Sequence, residues 1–399
     1  MSLLDNLKEA GKKKEILDNL RVNPTQVTIE KILSPTEAIV SGQKVILAGT
    51  NNYLGLTFSK ECISAGLNAL ELEGTGTTGS RMANGTYGGH IELESEIADL
   101  FDKTHAMVFS TGYSANLGTL TALLGKDDVA LIDSEAHASL YDGCRLSGAE
   151  VVRFKHNDSG SLEKRLRRLG ERCKSTLVVA EGLYSIRGDC APLKEFVELK
   201  DNYGSFLLVD EAHSLGLFGK KGAGLADQMG ILEKTDFVVG TFSKSLGSIG
   251  GFCVSNHSET SLFKYSSRPY IFTASPSPSI VATTRAALRS MVEGDDLREK
   301  AWGNARELHA NFSEVGLNIG RSISPIIGVS FDSHELGYAF WDKLLELGIY
   351  TNLILPPAAP DGGSVIRCSV TAAHTRKQIL DISESFVKTA KVLGLGKAA

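Results

Sequence analysis

Five short runs that are apolar almost throughout alternate with amphipathic stretches in the middle of this chain. The runs are AMVFS (106–110), VALID (129–133), TLVVAEG (176–182), FLLVD (206–210) and FVVGTF (237–242). Amphipathic stretches such as 161–169 and 193–202 lie between them. Strands that are apolar on both faces and alternate with helices form mostly parallel sheets with helices on both sides. The sequence therefore predicts an α/β fold for this region.

The pattern changes after about residue 280. Helical stretches at 281–292 and 297–315 precede a strand at 326–331, a helix at 336–347, a strand at 365–370 and a final helix from Thr375. Near the start, 3–20 indicates a helix and 38–47 a hairpin turned by Ser41-Gly42, which could pack on the C-terminal unit or on a partner chain. We predict an N-terminal segment (1–45), a large α/β domain (46–285) and a smaller α+β domain (286–399).

Charge and composition exclude several classes of protein. The 42 Lys and Arg residues are scattered among 47 Asp and Glu residues, for a net charge of −5, which argues against a nucleic-acid partner. The first residues show no basic region leading into an apolar stretch, and no run approaches the roughly 18 apolar residues that span a bilayer, so we expect a cytoplasmic protein without a transmembrane segment. The run GKKKE (11–15) is typical of a solvated helix face, although weak attraction to acyl-CoA or to a membrane surface stays open. The six cysteines form no C-x-x-C pair, which predicts reduced thiols.

Polar residues directly after the apolar runs are candidates for a site, because open α/β sheets bind ligands beyond the carboxyl ends of their strands. Asp210 and Lys244 follow successive runs and would face one crevice. Alone, Asp210 is typical of a salt bridge or helix cap, and His213 of a core histidine. An acid and a partly desolvated lysine together are what pyridoxal phosphate (PLP) requires: the lysine holds the aldehyde as an imine, and the acid keeps the pyridine nitrogen protonated.

The sequence also contains candidate partners for the phosphate and for the ring face of such a cofactor. The segment 111–116 offers a helix start for the phosphate, where Gly112 allows close approach. Thr241 and Ser243 add hydroxyl groups, and His137 could lie on the ring face. A metal site built from Asp210, His213 and His137 lacks a clear further ligand and leaves Lys244 unexplained, so we predict no metal. The run GTGTTG (74–79) matches a dinucleotide fingerprint but follows an apparent helix end rather than a strand, which indicates a mobile or substrate-contacting glycine loop instead.

Six segments together resemble the α-oxoamine synthases, PLP enzymes of fold type I that condense an amino acid with an acyl thioester and release carbon dioxide. The resemblance runs from about residue 25 to residue 390. The segments are NNYLGL (51–56), STGYSANLG (110–118), DSEAHASLYDGCRLS (133–147), EGLYSIRGDCAPL (181–193), VDEAHSLGLFGKKGAG (209–224) and GTFSKSLGSIGGF (240–252).

This resemblance implies a role for each matching residue. Lys244 would hold the cofactor and act as the base at the α-carbon, with Asp210 at the pyridine nitrogen, His213 near the phenolic oxygen and His137 stacked on the ring. The residues implied to surround the cofactor elsewhere are Gly112, Tyr113, Thr241 and Ser243.

The resemblance also implies substrate residues and an assembly. Arg367 would take the substrate carboxylate, and Asn52 would lie on the substrate side. Thr273 would reach the cofactor phosphate of a neighbouring subunit, which implies a homodimer with shared active sites.

Within this family, the segments 34–55, 267–279 and 356–360 look most like those of soluble bacterial serine palmitoyltransferases. That likeness implies L-serine and a long-chain acyl-CoA as substrates and 3-ketosphinganine as product. Leu355 stands where some of those enzymes carry arginine, so synthases that use glycine or alanine remain alternatives. An aminotransferase and a non-catalytic subunit are further alternatives, and the presence of Lys244 argues against the second.

Overall fold

The computed structural model describes residues 3–356, 358–359 and 362–395. Pro357 and Pro360 of the 356–360 segment, and the outermost residues of the two terminal units, lie outside that range. Within the described part of the chain, no helix is long and apolar enough to cross a membrane.

The N-terminal segment is a helix followed by a small antiparallel sheet. A 3₁₀ turn (Leu3–Leu7) leads into α1 (Lys8–Asp18), and the strands are β1 (Ile29–Ser34), β2 (Glu37–Val40) and β3 (Gln43–Leu47). The predicted hairpin is confirmed: Val40 pairs with Gln43 around Ser41-Gly42, and both turn residues have positive φ (51° and 72°). Strand β1 was not predicted.

A seven-stranded sheet forms the centre of the molecule. Its strands are β4 (His105–Phe109), β5 (Val129–Asp133), β6 (Glu150–Phe154), β7 (Thr176–Glu181), β8 (Phe206–Asp210), β9 (Phe237–Thr241) and β10 (Gly251–Ser255), in the order β4-β10-β9-β8-β7-β5-β6. Strand β10 is antiparallel to both of its neighbours, and the other pairs are parallel. All five predicted strands are present, and β6 and β10 are additional.

Helices cover both faces of this sheet. They are α2 (Lys60–Glu73), α3 (Gly88–Leu100), α4 (Gly112–Leu123), α5 (Ala138–Ser147), α6 (Ser159–Leu169) and α7 (Leu193–Tyr203), with short helices α8 (Leu225–Gln228), α9 (Phe263–Ser266) and α10 (Arg268–Ile271). Alternate residues of β7 enter different cores: Val178 packs with Leu162 and Phe196, whereas Val179 packs with Leu120 and Leu140. This burial on both faces explains why the strands are apolar throughout. The glycine run 74–79 does follow a helix, α2, as its context predicted.

The C-terminal part is an α+β unit. Its elements are α11 (Pro278–Glu293), α12 (Asp295–Val315), β11 (Ile326–Phe331), α13 (His334–Glu346), β12 (Ile349–Tyr350), β13 (Asn352–Ile354), β14 (Ser364–Ser369) and α14 (Arg376–Val392). Strands β11, β14 and β13 form an antiparallel sheet.

The N-terminal sheet packs on this C-terminal unit within the same chain. Strand β12 pairs in parallel with β3, and Val40 and Val45 share one core with Phe340 and Trp341. The predicted domain boundaries stay predictions, and α11 runs through the second of them.

Candidate active site

The carboxyl ends of β7, β8 and β9 open into a cavity of about 300 Å³, at the lower end of the range for small-molecule sites. Eight of the predicted site residues line it: Gly112, Tyr113, His137, Asp210, His213, Thr241, Ser243 and Lys244. They come from four separate parts of the sequence, and the parallel sheet brings them together because its strands end at one edge.

Asp210 ends β8 with both carboxylate oxygens held by donors. Its side chain is buried. Oδ2 accepts a 2.8 Å hydrogen bond from Asn116 Nδ2, and Oδ1 accepts a 2.9 Å bond from the Ala212 N–H. Asn116 lies in α4 and is itself held by Ser139 Oγ at 2.8 Å. The carboxylate therefore has a fixed orientation and retains lone pairs for a positively charged N–H in the cavity.

Lys244 follows β9 and lines the same cavity. Burial lowers the pKa of its amine to about 8, against the opposing effect of the Asp210 and Glu181 carboxyls. A lysine with this pKa has a substantial neutral fraction near physiological pH, and the neutral amine is the form that adds to an aldehyde.

Glu181 is a cavity residue that the sequence reasoning missed. It ends β7 in direct register with Asp210 on β8, and its Oε1 accepts a 2.6 Å hydrogen bond from the backbone N–H of His137. Burial and the neighbouring Asp210 raise the pKa of Glu181 well above its usual range. The signal for Glu181 was the same as for Asp210, an acid at the end of a buried strand.

The start of α4 forms the anion-binding end of the cavity. The first N–H groups of a helix, here those of Gly112 and Tyr113, have no partner within the helix and attract a phosphate. A Cβ on Gly112 would lie 2.7 Å from Thr241 Cβ, so only glycine allows the helix to approach β9 this closely. Thr241 Oγ1 lies 2.8 Å from Ser243 Oγ. Helix N–H groups, hydroxyls, a lysine and an oriented carboxylate are the partners that PLP needs, and the site therefore fits this cofactor.

Arg367 does not line the cavity, but two successive hydrogen bonds connect it to the cavity residue His213 through Tyr53. Its NH2 group donates to Tyr53 Oη at 3.0 Å and to Asn51 Oδ1 at 2.8 Å, while Nε donates to the Ser185 carbonyl. Tyr53 Oη lies 2.7 Å from His213 Nδ1. The structure thus connects the two predicted residues Arg367 and His213 through Tyr53, which the sequence reasoning did not identify.

Tyr53 and His213 are both neutral in this chain of contacts. Burial raises the pKa of Tyr53 to about 12, and burial together with the Lys244 charge lowers the pKa of His213 well below its usual value. Tyr53 Oη accepts from Arg367, and its own proton has two acceptors in reach, His213 Nδ1 at 2.7 Å and Asn51 Oδ1 at 3.2 Å. With that proton on the shorter contact, the neutral imidazole of His213 carries its proton on Nε2.

Asn52 and Thr273 do not line this cavity. Asn52 Nδ2 donates to Thr57 Oγ1 at 2.8 Å, and its buried Oδ1 has no hydrogen-bond partner among the described residues. Thr273 precedes Ala274, which forms a bridge with Ser80 in the glycine-rich loop region. The roles assigned to both residues stay predictions. In the described ranges, no group of three or more His, Cys, Asp or Glu side chains is arranged to hold a metal ion.

Comparison with known proteins places this site in a family. The model of the family "Aminotransferase class I and II" matches residues 43–386. The serine palmitoyltransferase of Caulobacter vibrioides is 48% identical over 379 residues, which cover 95% of this chain and 94% of the relative.

Solved structures agree with the sequence comparison. The serine palmitoyltransferase of Sphingomonas wittichii is 43% identical with a TM-score of 0.96, and the match covers 100% of both chains. A variant of the S. paucimobilis enzyme, solved with bound PLP and myriocin, is 43% identical with a TM-score of 0.95, covering 99% of this chain and 100% of that one.

The fold and the site define a PLP-dependent transferase of fold type I, as the sequence predicted. The chain belongs to the class I and II aminotransferase family, and within it to the serine palmitoyltransferases.

Proposed function

We propose that this chain is a PLP-dependent acyltransferase that condenses L-serine with a long-chain acyl-CoA such as palmitoyl-CoA. Carbon dioxide and coenzyme A are released and 3-ketosphinganine is formed, which is the first step of sphingolipid synthesis. The observation that carries the proposal is the 48% identity to a serine palmitoyltransferase over 95% of the chain. The cavity at Asp210 and Lys244 supports it with the chemistry that this reaction requires.

The steps that involve the cofactor depend on the residues that line the cavity. PLP, when bound, supplies an electron sink that stabilises negative charge at the α-carbon of the amino acid. Lys244 would hold the aldehyde and would take the α-proton of the amino acid, a role for which its pKa of about 8 is suited. Asp210 would keep the ring nitrogen protonated, His137 would lie on the ring face, and His213 would lie near the phenolic oxygen.

We assign the serine carboxylate to Arg367, whose planar guanidinium suits a carboxylate. In this structure the guanidinium N–H groups of Arg367 donate to Asn51, Tyr53 and the Ser185 carbonyl. An incoming carboxylate must therefore share these donors with one of the three acceptors or replace it. Leu355, directly after β13, offers no second charged contact. Amino-acid selection therefore rests on Arg367 and the residues that orient it.

We also propose that two copies assemble with shared sites. Phe272, next to Thr273, is 71% exposed in the single chain, and Leu72 near the end of α2 is 77% exposed. The bridge between Ala274 and Ser80 brings the Thr273 segment beside the loop that follows α2. Large exposed apolar side chains beside a segment with an expected cofactor role support an interface with a second copy.

We propose that the protein is a cytoplasmic enzyme, as the sequence predicts. Contact with a membrane surface through the lysines of α1 remains part of the proposal, and vesicle sedimentation of the purified protein would test it.

Spectral titration and product analysis together test the reaction. PLP-loaded protein is titrated with L-serine, glycine and L-alanine, and the reaction with palmitoyl-CoA is then analysed by mass spectrometry. We expect the largest absorbance change with serine and a product with the mass of 3-ketosphinganine. A product from glycine or alanine alone would support the other synthases. Conversion of the cofactor to pyridoxamine phosphate by an amino acid, with release of the matching 2-oxo acid, and its return to PLP by a second 2-oxo acid would indicate an aminotransferase.

A further inference from the structure

A second group of charged side chains lies outside the cavity, centred on His156. This residue follows β6, and its side chain is only 15% exposed. Nδ1 lies 2.9 Å from Asp133 Oδ1, and Nε2 lies 2.7 Å from Asp189 Oδ2. Because both acceptors are carboxylates, both ring nitrogens must donate, and the side chain is an imidazolium.

The surroundings of His156 support this protonation state. Burial lowers the pKa of His156, but the hydrogen bonds to Asp133 and Asp189 and the charges of both outweigh it and raise the pKa to about 10. The Glu135 carboxylate lies 3.9 Å from Nε2, and the Tyr184 ring packs edge-on at 4.4 Å between centroids.

On one side, His156 fixes the turn that carries His137. Asp133 is fully buried at the end of β5. Its Oδ1 also accepts a 2.8 Å bond from the Glu135 N–H, and its Oδ2 accepts a 2.9 Å bond from the Asn157 N–H. The turn 133–137 then ends at His137, whose own N–H is bound by Glu181.

On the other side, His156 fixes the turn that orients Arg367. Asp189 Oδ2 accepts a second bond, of 2.7 Å, from Asn157 Nδ2. The turn 184–189 is closed by the Tyr184 N–H, which donates to the Asp189 carbonyl at 2.9 Å. Within that turn, the Ser185 carbonyl accepts from Arg367 Nε.

We propose that His156 is a positioning residue for amino-acid binding: it ties the His137 turn to the turn that orients Arg367, and so sets the spacing between the ring-stacking and carboxylate-binding groups. The inference rests on the proposed function, in which both groups contact the amino acid or the cofactor. His156 itself contacts neither. Its hydrogen bonds to Asp133 and Asp189 join the two turns, so they fix the geometry between these turns in addition to any contribution to the stability of the fold.

The test compares three variants with a matched control. In His156→Gln a single amide cannot donate to both carboxylates. Asp189→Ala removes one of the two connections, whereas Asp189→Asn keeps an acceptor oxygen. The control is His257→Gln, because His257 Nε2 forms a comparable 3.0 Å pair with Asp236 outside the cavity.

The readouts separate positioning from a general loss of structure. Dissociation constants for PLP and for L-serine, the KM for palmitoyl-CoA and the melting temperature are measured for each variant. In His156→Gln and Asp189→Ala we expect the serine dissociation constant to rise about tenfold or more, with PLP affinity and the palmitoyl-CoA KM within about twofold of wild type. Asp189→Asn should recover most of the serine affinity, and His257→Gln should leave it unchanged.

A readout without cofactor completes the test. In apoprotein labelled with ¹⁵N-histidine, both ring nitrogens of His156 should carry protons at pH 8. Unchanged serine affinity in His156→Gln, or equal losses for serine and PLP, would overturn the inference. If that variant does not fold, the difference between Asp189→Ala and Asp189→Asn decides. If wild-type protein binds glycine or alanine instead of serine, the proposed function fails, and the same comparison with that amino acid still tests His156.

Discussion

Replacement of Asp210 by asparagine tests the centre of the proposed site, because it changes charge with little change in shape. The Asp210 oxygens accept from Asn116 Nδ2 at 2.8 Å and from the Ala212 N–H at 2.9 Å. An asparagine amide can satisfy only one of these donors, and its NH2 group must face the other. The variant therefore loses one hydrogen bond and the negative charge to which we assign the protonation of the ring nitrogen.

The size of the effect follows from these contacts. Loss of one donor that stabilises a transition-state charge costs about 3–4 kcal/mol in well-studied enzymes, and each 1.4 kcal/mol is about tenfold in rate. We therefore expect kcat in Asp210→Asn to fall by a factor on the order of 10²–10³, while a substantial part of the cofactor remains bound through Lys244. Asn116→Ala keeps the charge and removes one donor, which costs about 1 kcal/mol, so kcat should fall only about fivefold.

Two assays measure this prediction. The first is turnover with serine and palmitoyl-CoA, normalised to bound cofactor. The second is exchange of the serine α-proton with deuterated water in the absence of acyl-CoA, which isolates the step that needs the electron sink. If cofactor-loaded Asp210→Asn retains kcat and exchange within tenfold of wild type, the role assigned to Asp210 is wrong.

Three further predictions concern Lys244, the subunit interface and pH. Lys244→Ala should lose its yellow colour on dialysis, and borohydride reduction of wild-type protein should attach the cofactor to the Lys244 peptide; attachment at another lysine would refute the assignment. Mixed dimers of Lys244→Ala chains with Thr273→Trp chains should regain part of the activity, because one of the two sites then has neither defect; no recovery despite proven subunit exchange would exclude shared sites. The pKa of His156 is about 10 in the folded chain, against about 6.5 in the unfolded chain. The imidazolium should therefore stabilise the fold by at most about 5 kcal/mol. This contribution should be complete below pH 6.5 and should be lost as the pH rises to 10. The free energy of unfolding is measured with denaturant for wild type and His156→Gln at pH 6 and at pH 10. The difference between the two proteins should be smaller at pH 10, and a difference that does not change with pH would contradict the prediction.

The sequence predicted those strands whose burial is visible in local composition. Strands β5 and β7 are buried along their whole length, so each is a continuous apolar run. Strand β6 was missed because it lies at the sheet edge, where Glu150 and Arg153 are exposed and two further residues are only partly buried. Strand β10 is also buried along its whole length, so its short apolar run could have been recognised. Its antiparallel position between β4 and β9 depends on tertiary pairing, which no local pattern records.

The site residues also fall into two groups: those that a local sequence pattern could find and those that only the fold brings together. Asp210 and Lys244 follow apolar runs, so the rule that sheets bind ligands at strand ends could find them. Asn116 contacts Asp210 across 94 positions of sequence, and Tyr53 contacts His213 across 160. A single sequence without the fold contains no signal for such pairs. Arg367 was assigned through family resemblance alone, since it lies within the small antiparallel sheet rather than at the end of a parallel strand.

Glu181 and Asp210 are adjacent carboxyls that the fold surrounds with different hydrogen-bond donors. They stand in register at the ends of β7 and β8, and two neighbouring carboxylates in a poorly solvated site cannot both ionise cheaply. Asp210 receives two hydrogen bonds, from Asn116 and Ala212, whereas Glu181 receives one, from the His137 backbone. Burial is the main reason that the pKa of Glu181 rises well above its usual range, and the neighbouring Asp210 adds to the effect. Asp210, the residue assigned to the ring nitrogen, is the carboxyl with two hydrogen-bond donors, whereas Glu181 holds the N–H of His137. Loss of the Asn116 donor would leave one donor on each carboxyl, so the effect of Asn116→Ala on turnover reports how much this hydrogen bond contributes to the role of Asp210.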